Sequence, residues 1–192
     1  MLFIVLVGPK HSGKTSAGKE LAALLGGDFI DLDEAILRQC GKSPRELYAQ
    51  AAEIFRKAEA EALAAILETP QDTAPPALQR SALRVIAAGG GIIDNPGAMA
   101  LLAGNAEVMA VFIDVSAQTA WERISRGELP PFLRTDNPKE THRLLHERRS
   151  AAYRKFALLA IEADGKNPDV IAGEIANALF LPYRHKNHCK KS

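Results

Sequence analysis

Gly8-Pro9-Lys10-His11-Ser12-Gly13-Lys14-Thr15 follows directly on the apolar run Leu2–Val7. The eight residues satisfy G-x-x-x-x-G-K-[ST] in full. The run before them is continuously apolar and partly β-branched, as a strand buried on both faces must be. Glycine at both ends lets the backbone curl so that several N–H groups point at one phosphate. A helix expected from Lys14 onward adds the positive end of its dipole. Lys14 can reach the outer phosphates of a nucleotide, and the Thr15 hydroxyl can ligate Mg²⁺. Gly8, Ser12, Gly13, Lys14, Thr15 and Ser16 are therefore the expected nucleotide-binding residues. The G-x-G-x-x-G pattern of dinucleotide sites is absent from this loop.

Working outward, strand-like and helix-like segments alternate. The first helix is expected over Lys14–Leu25, stopped by Gly26-Gly27, with a short strand over Asp28–Asp31. Ser43-Pro44-Arg45-Glu46 supplies a cap, a first-turn proline and a third-position glutamate, and opens a helix expected to run to about Glu68. Residues 69–81 hold three prolines and read as a surface loop. Strands are expected over Ala82–Ala87, Glu107–Val115 and Leu158–Ala163. Ser116, Asn137-Pro138 and Asn167-Pro168 open the remaining helices, the first ending near Gly127 and the last near Leu179. This order implies a three-layer α/β fold, a parallel sheet with helices on both faces.

The chain has 192 residues, 47% of them hydrophobic, enough for one domain with a substantial core. Lys plus Arg is 24 and Asp plus Glu is 23, and this balance argues against nucleic-acid binding driven by bulk charge. Cys40 and Cys189 make neither a disulfide framework nor a metal quartet, and fit a reducing compartment. No apolar stretch approaches the roughly 20 residues needed to cross a bilayer, and the start lacks the pattern of a signal peptide. The expectation is a cytoplasmic, monomeric protein with no membrane or nucleic-acid partner.

Several residues beyond the loop carry chemistry. Asp31 and Asp33 stand two apart at a strand end, where ligands bind in such sheets. One can orient a metal and its waters; the other can accept a hydroxyl proton. Arg56 and Glu59 share a helix face, as a surface ion pair or as a buttressed anion clamp. Gly89-Gly90-Gly91 ends a strand and suits close approach of a ligand to the backbone. His142 and His146, four apart without the zinc-protease glutamate, read as part of a solvated helix face.

Taken in order, the phosphate loop, Asp31-Leu32-Asp33, Phe55-Arg56-Lys57-Ala58-Glu59, Gly89-Gly90-Gly91 and Arg149 followed by Tyr153-Arg154 resemble the shikimate kinase family. The resemblance implies a five-stranded parallel sheet of the nucleoside monophosphate kinase type. It implies one kinase domain over residues 1–182, with an acceptor region near 32–60 and a lid near 126–138, then a flexible basic tail over 183–192. It implies transfer of the ATP γ-phosphate to the 3-hydroxyl of shikimate, with Mg²⁺. Asp33 would meet the acceptor hydroxyl and, with Lys14, be catalytic; Asp31 and Thr15 would serve the metal. Arg56 and Arg149 would clamp the substrate carboxylate, Glu59 would buttress Arg56, and Gly90 and Gly91 would offer backbone N–H groups. Arg123 and Pro168 match residues on the two faces of adenine.

One departure is chemical. The family's lid reads Arg-Pro-Leu-Leu, and here the stretch is Pro130-Pro131-Phe132-Leu133. Proline supplies no charge, so Arg126 and Arg134 are the sequence's candidates for a lid cation, with Gly127 and the loop ends as hinges. The departure keeps two alternatives open: a kinase of another small hydroxy acid, such as a sugar acid, and a non-catalytic ATP-binding module. A second departure, Ala51 and its neighbours where the family has a glycine-containing stretch, predicts an unbroken helix into Phe55.

Overall fold

A computed structural model describes residues 1–68 and 82–184. Five strands, β1 (Leu2–Val7), β2 (Asp28–Asp31), β3 (Leu83–Ala87), β4 (Val108–Asp114) and β5 (Leu159–Glu162), form one parallel sheet in the order β2-β3-β1-β4-β5. The sheet has the expected fold class. Central β1 pairs on both sides, with Leu2 opposite Leu83 and Phe3 opposite Val108. Its continuous apolar run follows from that position, since neither face meets water. Among the described residues eight α-helices connect and cover the strands: α1 (Lys14–Leu25), α2 (Leu32–Cys40), α3 (Pro44–Gln50), α4 (Ala52–Glu68), α5 (Pro96–Gly104), α6 (Ala117–Ile124), α7 (Pro138–Phe156) and α8 (Pro168–Arg184).

The alternation of β1 divides the core. Phe3, Val5 and Val7 face a cluster with Ala62 and Leu63 of α4, Leu102 of α5 and Tyr153 of α7. Ile4 and Leu6 face the other, with Ala17 and Leu21 of α1 and Ile171 and Ile175 of α8. Each large aliphatic side chain buried this way contributes about 1.5–3 kcal/mol, so α1 and α8 are held by their apolar stripes rather than by propensity. Gly18 of α1 is part of that fit, because a Cβ there would lie 2.6 Å from the Phe29 ring.

Four expectations are corrected. The helix from Pro44 breaks at Ala51, which takes an extended conformation (φ −166°, ψ 145°). α3 and α4 then pack against each other, with Tyr48 edge-on to Phe55 at 6.0 Å, and this contact outweighs the local helix preference of the alanines. α2 and α5 are additional helices; α5 is opened by Asn95-Pro96 in the pattern seen at Asn137-Pro138. α8 runs to Arg184, past the expected end and into the expected tail; residues 185–192 and the loop expected over 69–81 lie outside the described residues. His142 and His146 are buried rather than solvated. α7 packs on α6 there: the Trp121 and His142 rings are 5.5 Å apart, the two histidine rings 5.6 Å, and His146 Nε2 is 2.9 Å from the Val115 carbonyl oxygen. Burial lowers both imidazole pKa values below the usual range. Among the described residues no helix is long and apolar enough to cross a membrane.

Asn95 ties this frame together. Its Oδ1 accepts from the Ala98 N–H as the α5 cap, and its Nδ2 donates to the Arg56 carbonyl (2.8 Å) and to Glu59 Oε2 (2.9 Å) of α4. Asn95→Ala removes a cap and strands a buried carboxyl, and is expected to cost about 3 kcal/mol, read as a lowered urea midpoint at unchanged m-value.

Candidate active site

The loops after β1, β2 and β3 all leave the same end of the sheet, and each brings a different kind of group to it. After β1 the chain turns through Gly8 (φ 147°), His11 (φ 62°) and Gly13 (φ 97°). A Cβ on Gly8 would lie 2.6 Å from the Ile113 carbonyl oxygen, so this position requires glycine twice over. α1 starts at Lys14, whose buried ammonium donates to the Gly8 carbonyl (2.9 Å), the Pro9 carbonyl (2.7 Å) and Ser12 Oγ (3.3 Å). Burial pushes its pKa down to about 8, against the opposing pull of Asp33 and Asp31. Ser12 is buried in the loop, and Thr15 and Ser16 stand exposed in the first turn of α1. Arg123 of α6 donates to the His11 carbonyl at 2.9 Å, which puts its guanidinium beside the loop. Pro168 sits exposed at the first position of α8.

After β2, Asp31 caps α2: Oδ1 accepts from the N–H groups of Asp33 (3.0 Å) and Glu34 (3.4 Å). Its Oδ2 accepts from Thr15 Oγ1 at 2.9 Å, joining the two expected metal-side residues. The cap fixes Asp31 and leaves the Asp33 side chain free for other work. Burial first, and Asp31 second, push the Asp33 carboxyl above its usual range; Lys14 and Lys10 oppose the shift.

After β3, the three glycines meet protein neighbours rather than open space. A Cβ on Gly89 would lie 2.7 Å from Glu59 Oε1, on Gly90 2.6 Å from the Lys10 nitrogen, and on Gly91 3.1 Å from Arg149 Nη2. Their conformations are not left-handed, so close approach is what demands glycine. Arg149 is half-buried and held by Asp94, with Nη2 and Nε 2.7 and 2.8 Å from Oδ2, while Arg148 takes the other oxygen at 2.9 Å. Tyr153 Oη donates to the Gly90 carbonyl at 3.3 Å.

The geometry gathers Lys14, Thr15, Asp31, Asp33, Gly90, Gly91 and Arg149 at one end of the sheet, as expected. Arg56 differs: its guanidinium is exposed and makes no ion pair with a described residue. Glu59 is buried and bonds Asn95 instead of buttressing Arg56, while its Oε1 has no partner. Asp94 and Asn95 escaped the reading of the residues. The repeated Asn-Pro start marks Asn95, but no local pattern marks Asp94, because its partners are 54 and 55 residues away.

The lid residues are now specific. Arg134 pairs with Glu128 at 2.6 Å, and the same oxygen holds Arg45 of α3 at 2.7 Å. Arg126 is exposed and makes no ion pair with a described residue. Phe132, in the short turn Pro131–Leu133, lies 6.0 Å from the Arg149 guanidinium.

A family model described as shikimate kinase matches residues 10–180. A shikimate kinase of Marinomonas sp. (strain MWYL1) is 34% identical over 92% of this chain and 91% of its own length. A shikimate kinase of Mycobacterium tuberculosis (strain ATCC 25177 / H37Ra) is 30% identical over 93% of each chain. Among solved structures, shikimate kinase from Acinetobacter baumannii in complex with shikimate superposes with a TM-score of 0.78 at 28% identity, covering 95% of this chain and 94% of that one. Shikimate kinase from Aquifex aeolicus gives a TM-score of 0.71 at 27% identity, covering 93% and 99%.

Glu59 yields a prediction about pH. Burial pushes its pKa from 4.5 up to about 7, against Asn95 and the two nearby arginines. A carboxyl with a raised folded-state pKa favours folding most at acid pH, and that contribution is lost as pH rises through the folded value. Glu59→Gln, which keeps an acceptor for Asn95, is therefore expected to melt level with the parent near pH 4. At pH 8 it is expected to be more stable by on the order of 3 kcal/mol, read by thermal melts across that range.

Proposed function

The chain belongs to the shikimate kinase family, and we propose that it transfers the γ-phosphoryl group of ATP to the 3-hydroxyl of shikimate. The observation that carries this is the convergence of three turns at one end of the sheet. A phosphate cradle follows β1, a carboxylate pair follows β2, and a glycine turn against an arginine follows β3. Residues 32–60 then form the acceptor region and residues 126–138 the lid of one kinase domain.

In this reading the loop N–H groups and Lys14 hold the nucleotide phosphates. Lys14 exchanges its loop carbonyls for phosphate oxygens, which the depressed pKa makes favourable because an anion restores the charged form. Arg123 and Pro168 flank the adenine, and the bond from Arg123 to the His11 carbonyl supports its half of that assignment. Arg149, oriented by Asp94, meets the shikimate carboxylate, and exposed Arg56 swings in from α4 as the second clamp. The N–H groups of Gly90 and Gly91 complete the acceptor site. Asp33 accepts the hydroxyl proton as the acceptor oxygen bonds to phosphorus and the bond from phosphorus to the β–γ bridging oxygen breaks, with its electron pair leaving on ADP. Its raised pKa makes it a better proton acceptor than an ordinary aspartate.

The Thr15 hydroxyl and Asp31 carboxylate are hard oxygen donors 2.9 Å apart and suit Mg²⁺, an ion that keeps several waters and shares nucleotide oxygens. Among the described residues no cluster of three or more His, Cys, Asp or Glu could hold a metal unaided, which fits an ion bound with its nucleotide. When bound, Mg²⁺ neutralises charge on the outer phosphates. The near-balanced net charge of +1 supports small-molecule rather than nucleic-acid partners, and a monomeric cytoplasmic enzyme is part of the same proposal.

The test is ADP release with Mg²⁺ and ATP, with and without shikimate, using Lys14→Ala as the blank. Shikimate-dependent turnover is expected. Asp33→Asn is expected to lower kcat by roughly 10²–10⁴-fold. Arg149→Ala is expected to raise the KM for shikimate by about 10–100-fold with ATP affinity unchanged. Turnover that ignores shikimate but follows another hydroxy acid would reassign the acceptor.

A further inference from the structure

Phosphoryl transfer spreads negative charge over the moving group, and cations set around it in advance lower the barrier. Beside Lys14, Arg123 is engaged on the His11 carbonyl, Arg149 on Asp94 and Arg134 on Glu128, which leaves Arg126 of the expected lid and Lys10 of the loop as exposed cations without such a partner among the described residues. Lys10, the third residue of the loop, is different. Its ammonium makes no hydrogen bond or ion pair with a described residue. Its backbone is wedged against the glycine turn, with N, Cα and Cβ at 2.6, 2.9 and 3.1 Å from where a Cβ on Gly90 would lie. With Phe132 of the lid, His146 and Arg149 it lines a cleft of about 20 Å³.

We propose that the Lys10 ammonium is a catalytic group, contacting the γ-phosphoryl as it moves from ADP to the acceptor oxygen and carrying charge that the Pro130-Pro131 stretch of the lid does not supply. This rests on the kinase reading above. Lys10 stands between the two halves of the reaction, joined to the donor side through the loop and to the acceptor side through Gly90. Its positive charge lowers the pKa of both Lys14 and Asp33, so its field reaches the loop lysine and the candidate proton acceptor alike. Being exposed and unpaired on a flexible four-carbon stem, it can follow the phosphoryl group without breaking a bond elsewhere.

The test compares Lys10→Met, Lys10→Arg and Arg126→Met with the parent enzyme, each checked by circular dichroism. Lys10→Met is expected to lower kcat by roughly 10²-fold with both KM values within about 3-fold, and Lys10→Arg to recover at least about a tenth of the parent rate. A second readout needs no turnover. Calorimetric affinity for MgADP alone and for MgADP with aluminium fluoride, a mimic of the transferring phosphoryl, is measured for each protein. Lys10→Met should lose most of the gain that aluminium fluoride brings while MgADP affinity holds. A kcat within about 3-fold of the parent, a loss confined to the KM for shikimate, or an unchanged aluminium fluoride gain would overturn the assignment. So would the same losses in Arg126→Met and not in Lys10→Met. If the parent protein fails to phosphorylate shikimate, the acceptor reading falls, and the aluminium fluoride comparison still decides Lys10. If Lys10→Met loses its fold, Lys10→Gln takes its place in both measurements.

Discussion

Everything in this site is spaced by the absence of three side chains. Gly89, Gly90 and Gly91 let the end of β3 touch Glu59 from α4, Lys10 from the phosphate loop and Arg149 from α7. A methyl group at Gly90 would overlap the loop backbone itself, which is anchored by Gly8 against β4 and cannot retreat cheaply. The spacing between the phosphate loop and the glycine turn is therefore set by van der Waals contact of backbone on backbone. That is the stiffest spacer a protein can build, and it suits a reaction in which the protein's part is positioning.

Around that contact, opposite charges are held in tension by burial. Lys14 is driven toward its neutral form and Asp33 and Glu59 toward theirs; Lys14 and Asp33 each partly restore the other's charge, while Glu59 is pushed further by Asp33 and opposed by Asn95, Arg56 and Arg149. Such a set is poised for ligands that carry charge in. A polyphosphate favours charged Lys14, and in the proposed reading an acceptor hydroxyl meets in Asp33 a carboxylate with raised proton affinity. Asp94 completes the design from behind by fixing the Arg149 guanidinium through two short contacts.

The stretch expected to form the lid is fastened differently. Glu128 bridges Arg134 and Arg45 across open solvent, where water and salt screen such pairs and leave them weak. Arginines spent on that bridge are not aimed at the phosphate loop, while Phe132 rests over Arg149. The stretch expected to form the lid is thus latched weakly through Glu128, and the cation proposed at Lys10 would make up for charge that this stretch does not aim at the phosphate loop.

Local chemistry made much of this legible in the order of residues. The phosphate loop is a contiguous pattern, because the backbone that wraps a phosphate is one stretch of chain. Capped helix starts at Ser43, Ser116 and Asn137 were readable because a cap bonds only a few residues onward. The break at Ala51, the burial of His142 and His146, the grip of Asp94 on Arg149 and the turn of Glu59 toward Asn95 were not. Each depends on which elements come to lie side by side, and the partners are separated by tens of residues or by a helix packing that propensity does not contain. Contiguous patterns in the chain settle the class of fold and the nucleotide cradle, and they single out Asp31 and Asp33 as the candidate carboxylates. Which arginines lack an ion pair among the described residues is settled in three dimensions, because an ion pair depends on where its partner arrives, and that is fixed when the sheet assembles.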